Sequence, residues 1–254
     1  VQMSDIITLR TKLLGNEHPE TLYSNAILAA IYRVVGKHKS ATNIIKQVLA
    51  TIESQLGDTN SARGHSQKDL YMLYASCVEE FGRIHLAGKE PEFALRAVER
   101  GSAVLSEYIS RQNKDDFLVY LALLHNLSAE ICLEMNKYNE GQKCLDSSRS
   151  IIDQIPKNVR LPYFLLNHWR DKATAVFRNN LLSAKFHAHL GELEEAASDL
   201  EEAHDVLVKN KGSESIELCN TYLELLDIYA RMVPDRVSVE MYVRTLKSAL
   251  VTTR

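Results

Sequence analysis

Glycine and proline are scarce, with ten and five among 254 residues. A strand-rich fold spends more turn residues than that, whereas a helical array needs them only between helices. Aromatic residues are few at 7%, and Trp169 is the single tryptophan. Neither sign of charge is in excess: 30 basic residues against 33 acidic leave a net charge of -3. That balance offers no footprint for nucleic acid or anionic lipid. The four cysteines, Cys77, Cys132, Cys144 and Cys219, form no CxxC or comparable spacing. A disulfide framework or zinc site is therefore not indicated, and a reducing, intracellular compartment is expected, the cytoplasm first and the nucleus second. No uninterrupted apolar run approaches the ~20 residues that cross a bilayer, so membrane insertion is not expected. No glycine-rich phosphate loop, no HExxH and no local Ser/His/Asp or Cys/His arrangement is present. The chain is accordingly expected to be no enzyme and to need no cofactor or metal. It opens Val1-Gln2-Met3-Ser4 without an initiator methionine, so a fragment of a longer protein is expected.

What the sequence has in abundance is helical periodicity. Apolar residues recur at three- and four-residue steps through most of the chain, as Ile27, Leu28 and Ile31 do around Ala29 and Ala30. Short breakers interrupt them: Gly36-Lys37-His38, Gly57-Asp58-Thr59-Asn60, Gly88-Lys89-Glu90-Pro91, Asn136-Lys137, Ile155-Pro156-Lys157, Gly191-Glu192, Lys211-Gly212-Ser213 and Val233-Pro234-Asp235. Pro91 and Pro234 sit where a helix restarts, the position at which a missing N–H matters least. Helices are expected at 2–14, 20–35, 39–56, 67–87, 91–112, 116–135, 138–154, 168–190, 193–209, 214–232 and 235–250. Short breaks alternate with longer ones, which sorts the helices into a half-pair, 1–14, followed by pairs at 20–56, 67–112, 116–154, 168–209 and 214–250. The expectation is one all-α array over 1–254, a solenoid of antiparallel helix pairs with no sheet.

Laid over one another, the pairs share a frame: a small residue, a larger one three later, a small one at twelve, a larger one at sixteen and a small one at nineteen. The copies read Ala29, Tyr32, Ala41, Ile45, Val48; Gly82, His85, Ala94, Val98, Gly101; Ala129, Cys132, Gly141, Leu145, Ser148; and Ala184, His187, Ala196, Leu200, Ala203. A fifth, Leu226, Tyr229, Ser238, Tyr242, Thr245, opens on a residue that is not small. Two helices of a hairpin cross closely only where small side chains meet, with bulkier neighbours filling the groove beside them. One hairpin cannot bury its apolar face alone, so several must stack.

This frame resembles the tetratricopeptide repeat (TPR), and the resemblance implies that the solenoid is a right-handed superhelix. The first pair is more specific: Leu14-Gly15-Asn16-Glu17-His18-Pro19-Glu20-Thr21-Leu22 precedes it, and Gln55-Leu56-Gly57 closes it, Gly57 lying 42 residues after Gly15 (57 − 15). A leucine–glycine stop, then His-Pro-Glu-Thr, then a helix at that period resembles the kinesin light chain branch of the family, a likeness confined to about residues 1–57. Frame origins then fall 53, 47, 55 and 42 residues apart, and a long connector, Ile155 to His168, parts the third pair from the fourth.

The resemblance implies that the first helix of each pair lines a concave groove, and it implies which neighbours of the small residue point inward: Arg33, Glu79, Arg83, Asn126, Glu130, Lys185, His189, Asp227 and Arg231, with Arg178 and Asn220 at the groove's edge. Such a lining offers charge-assisted hydrogen bonds to an extended peptide or a partner helix; an inner face that is merely solvated is the alternative. His187 and His189, two apart, point to different faces of a helix and do not make a metal pair; His187 and His85 fall at packing positions, as does Cys132. Asn126-Leu127-Ser128 matches a glycosylation sequon but lies mid-helix. Glu192, Glu194, Glu195, Asp199, Glu201, Glu202 and Asp205 make one acidic helix, read as a solvated outer face with a docking strip for a basic partner as the alternative. The apolar connector, with Val159, Leu161, Tyr163, Phe164, Leu165 and Leu166, either tucks under the array or meets a partner.

The function expected is a non-catalytic adaptor or scaffold, one subunit of a larger assembly, binding a peptide or helix of a protein partner in the groove. A peptide-gated regulatory domain controlling an attached domain is the alternative.

Overall fold

The computed structural model describes residues 2–57, 67–112, 114–156, 159, 171–211, 216–232 and 244. Among them are ten α-helices: α1 (Met3–Leu14), α2 (Pro19–Val34), α3 (His38–Gly57), α4 (Gln67–Ala87), α5 (Pro91–Gln112), α6 (Leu118–Glu134), α7 (Tyr138–Gln154), α8 (Lys172–Leu190), α9 (Leu193–Lys211) and α10 (Ile216–Met232). A 3₁₀ turn, Asp115–Phe117, leads into α6, and no strand occurs among the described residues. The helices fall close to their expected bounds except at α8, expected from residue 168. It starts at Lys172 because Asp171 caps it, its carboxylate accepting from the Thr174 N–H at 2.8 Å and the Thr174 hydroxyl at 2.9 Å. Apart from Arg244, the helix expected at 235–250 lies outside the described residues, as do most of the connector and the fifth frame copy beyond Tyr229.

The His-Pro-Glu signal has a local cause. Pro19 takes the first helical position of α2, where its missing N–H is no loss, and the His18 ring nitrogen Nδ1 accepts from the Glu20 N–H at 3.2 Å. At the other end of each first helix the frame fixes the turn. Seven residues after each origin the backbone is left-handed, at Gly36 (φ 77°), Lys89 (φ 61°), Asn136 (φ 58°) and Gly191 (φ 84°). The next N–H reaches back to the frame's second residue: Lys37 to the Tyr32 carbonyl at 2.8 Å, Glu90 to His85 at 2.9 Å, Lys137 to Cys132 at 2.8 Å and Glu192 to His187 at 2.9 Å. This is a Schellman closure, repeated in one register. Glycine takes that φ freely in two copies; lysine takes it at a cost of about 1 kcal/mol.

Of the frame residues in the four copies, all but Tyr32 and His187 are buried. A Cβ at Gly82 would stand 2.6 Å from Val98 Cγ2, the large residue of its own frame, and one at Gly101 would strike Val78. Small residues there are what lets the two helices of a pair touch. One apolar cluster runs from Leu22 through α3, α4 and α5 to Ile131 and Cys132, and smaller clusters continue through α7 and α8 to Tyr229. The core is thus a chain of shared interfaces.

Every helix packs on the next in sequence, and α2, α4, α6 and α8 also pack on one another in turn. The second helices α3, α5, α7 and α9 show no comparable mutual contact. First helices therefore crowd the inner side of a curve. At its middle, α6 is buried on nearly every side. With its lead-in turn it is long and apolar enough to cross a membrane by length and composition, a segment the sequence reading did not set aside, yet it is mostly buried within the array.

Candidate functional site

In the first half of the inner face, charge meets charge. The Arg33 guanidinium of α2 donates to Glu80 of α4 at 2.5 Å. The Glu79 carboxylate, 3% exposed, accepts from Arg83 at 3.2 Å and from Arg178 of α8 at 2.9 Å, and Arg83 lies 3.8 Å from Glu130 of α6. A buried carboxylate is costly unless paired, and here each of the two has a guanidinium. Burial pushes the Glu80 carboxyl above its ordinary value, against the opposing pull of the Arg33 hydrogen bond and charge. Burial alone would lower Arg83, but Glu79 and Glu130 outweigh it and the guanidinium is held above its usual value. Four of the expected groove residues, Arg33, Glu79, Arg83 and Glu130, thus fall in one cluster, where Glu79 is buried, Arg83 pairs with Glu79 and Glu130, and Arg33 is spent on Glu80.

Asn126 is placed differently from the expectation. It is 1% exposed, wedged between helices. Its side-chain N–H donates to the Ala175 carbonyl of α8 at 3.1 Å, while its amide oxygen accepts from Asn179 at 3.1 Å; Asn179 also donates to the Leu145 carbonyl of α7 at 3.1 Å. The position three before the frame origin, which the resemblance turns toward the groove, is a contact between successive first helices: Ala26, Glu79 and Asn126 are all buried there. Asn126 is a clamp joining α6, α7 and α8.

The contact series between first helices breaks between α8 and α10, which show no contact comparable to those of the earlier pairs. A cavity of about 580 Å³ occupies the gap. Ala184, Lys185, Ala188 and His189 of α8 form one wall, and Leu223, Glu224, Asp227, Ile228 and Arg231 of α10 the other, with Leu133 of α6 and Leu200 of α9 completing the lining. The other four expected residues, Lys185, His189, Asp227 and Arg231, therefore share one site. Lys185 bridges the gap to Glu224 at 3.0 Å, and Arg231 donates to the Ala188 carbonyl at 2.8 Å with Asp227 3.8 Å away. His189 lies beside the Tyr138 ring, centroids 5.4 Å apart. Leu223, at the frame position that is buried at Glu79 and Asn126, is 64% exposed.

No family model and no curated protein matches this chain. Solved structures do. A Podosopora anserina kinesin light chain-like protein of nearly identical TPR-like repeats aligns at TM-score 0.60 and 17% identity over 93% of this chain and 98% of that one. A single-substitution variant of it gives 0.61 and 18% over the same shares. BtubC (BKLC) from P. vanneervenii gives 0.68 at 11% identity over 99% of this chain and 88% of its own. The fold is TPR-like. The structural likeness runs the length of the chain, where the sequence likeness to kinesin light chain stopped near residue 57.

Within this TPR-like array several residues escaped the sequence reading. Glu80, Glu224 and Leu133 were not singled out, although Leu133 lies four after its frame origin, where Arg33 lies in the first copy. Arg178, placed at the edge, reaches across to α4. The acidic α9 is only partly a solvated face: Asp199 pairs with His187 at 2.9 Å, Glu201 accepts from the Tyr229 hydroxyl at 2.5 Å and Glu202 from Asn180 at 3.2 Å. Glu194 and Glu195 remain exposed.

Proposed function

We propose that this TPR-like array is a non-catalytic interaction module that takes a peptide or helix of a partner protein on its inner face, seated in the gap between α8 and α10. The observation that carries this reading is the cavity itself. It brings residues from two first helices, Lys185 and His189 with Asp227 and Arg231, around an apolar lining that includes the exposed Leu223. An apolar anchor from a partner would cover Leu223 and Leu133, while the flanking ion pairs would exchange partners with its backbone or charged groups. The first half of the inner face supports a different role. Its arginines are already paired and gain less from a ligand, so it sets curvature while the gap binds.

The test compares partner capture by three forms of the protein: wild type, Leu223→Asp and the outer-face control Glu195→Lys. The reading expects tenfold weaker binding or more for Leu223→Asp, about 1.4 kcal/mol, and little change for Glu195→Lys. The reverse pattern puts the partner on α9.

A further inference from the structure

The repeat places side chains three and fifteen residues after the frame origin opposite each other across a helix pair. In the fourth copy these are His187 and Asp199, in contact at 2.9 Å. In the third copy the same two positions are Cys132 of α6 and Cys144 of α7, and their thiols are hydrogen-bonded to each other. The backbones come close here because Gly141, between them in the frame, has no side chain: a Cβ on it would lie 3.2 Å from Cys132 Cβ. Cys132 is 1% exposed, while Cys144 is half-buried.

We propose that Cys132 and Cys144 form a redox-modification site: in the presence of a hydroperoxide the two thiols close into a disulfide across the third helix pair. Cys144, the more accessible sulfur, attacks one peroxide oxygen; the O–O bond breaks, water leaves and Cys144 becomes a sulfenic acid. The Cys132 sulfur then attacks Cys144, the S–O bond breaks and a second water departs with the Cys132 proton. Two thiols and one hydrogen peroxide give one disulfide and two waters; the sulfurs lose two electrons and the peroxide gains them. The hydrogen bond between the thiols lowers the Cys132 pKa and raises that of Cys144, so access selects Cys144 for the first attack and acidity suits Cys132 to the second. Cys144 packs with Ala129, Leu145, Leu182 and Phe186, and Phe186 of α8 is the ring that a side chain at Gly141 would strike. The bond would therefore stiffen the pair on which α8 is seated.

Hydrogen peroxide added to the folded protein tests this directly. Trypsin cuts after Lys114, Lys137, Lys143 and Arg149, so the two cysteines fall on separate peptides, 115–137 and 144–149. The expected results are loss of two of the four thiols, a mass decrease of about 2 Da and a non-reduced species joining those two peptides, all reversed by dithiothreitol. Cys144→Ser abolishes the cross-link; Cys132→Ser stalls at oxidised Cys144, about 16 Da heavier. The wild-type reading does not depend on either variant folding well. Four surviving thiols, oxidation to sulfinic acid without a cross-link, or a link to Cys77, Cys219 or a second chain would each overturn the proposal.

Discussion

Arg178 of α8 and Glu79 of α4 are ion-paired at 2.9 Å although a complete helix pair, α6 and α7, intervenes in the sequence between them. Such a bond is possible only because first helices crowd the inside of the curve. It makes the carboxylate of one repeat a structural anchor for a repeat two pairs further on.

Removing that strut should loosen the array. Arg178→Ala takes one guanidinium from the buried Glu79, and the expected loss is about 1–3 kcal/mol, the range for stripping one partner from a buried group. Urea denaturation measures it. Small-angle scattering should also show a larger radius of gyration, and an unchanged value would mean that curvature is set by packing only.

The frame's close contacts make a second prediction. In Gly141→Ala the new methyl strikes the Phe186 ring and crowds Cys132, an overpacking expected to cost about 1–3 kcal/mol. A thermal melt unchanged from wild type would show that α7 and α8 have room to spare.

The left-handed turn residue offers a gain. Lys89, exposed and at φ 61°, occupies the place that Gly36 and Gly191 fill in their pairs. Lys89→Gly should raise stability by roughly 0.5–1 kcal/mol, since strain at that φ outweighs the added freedom of the unfolded chain. Chemical denaturation that finds Lys89→Gly less stable would contradict the turn geometry.

These last two positions show how much the sequence discloses. Where a constraint is local and repeats in register, it is readable: small residues at crossings, breakers at turns, helix bounds to within a few residues. The left-handed position went unread because its residue type varies, Gly, Lys, Asn, Gly, while only the backbone repeats. Pairing on the inner face was hidden for another reason. Glu79 meets Arg178 across 99 residues, and nothing in the chain between them states that curvature. Asn126 was taken for a groove residue because its frame position was known, but not that the next first helix packs over that position.

Stability should also depend on pH through Glu80. Its folded pKa is raised by burial from the ordinary 4.5, so the folded state holds the proton more tightly than the unfolded chain does. That contribution is complete below 4.5 and is lost as pH rises through the folded value. Glu80→Gln cannot titrate, so the stability of wild type relative to Glu80→Gln should fall as pH rises through that window and then level. Urea midpoints across the acid range check this. A gap that widens in favour of wild type as pH rises would mean that the Arg33 pair dominates over burial.

The central claim is that a partner sits in the gap between α8 and α10, and site-specific photo-crosslinking tests it most directly. A benzophenone amino acid placed at position 223, on the cavity wall, is compared with one at position 195, on the exposed face of α9. The account predicts that the probe at 223 captures a protein partner, that capture falls tenfold or more when Lys185→Glu and Arg231→Glu are added, and that the probe at 195 captures little. Capture from position 195 that survives those two changes, with none from 223, would contradict it.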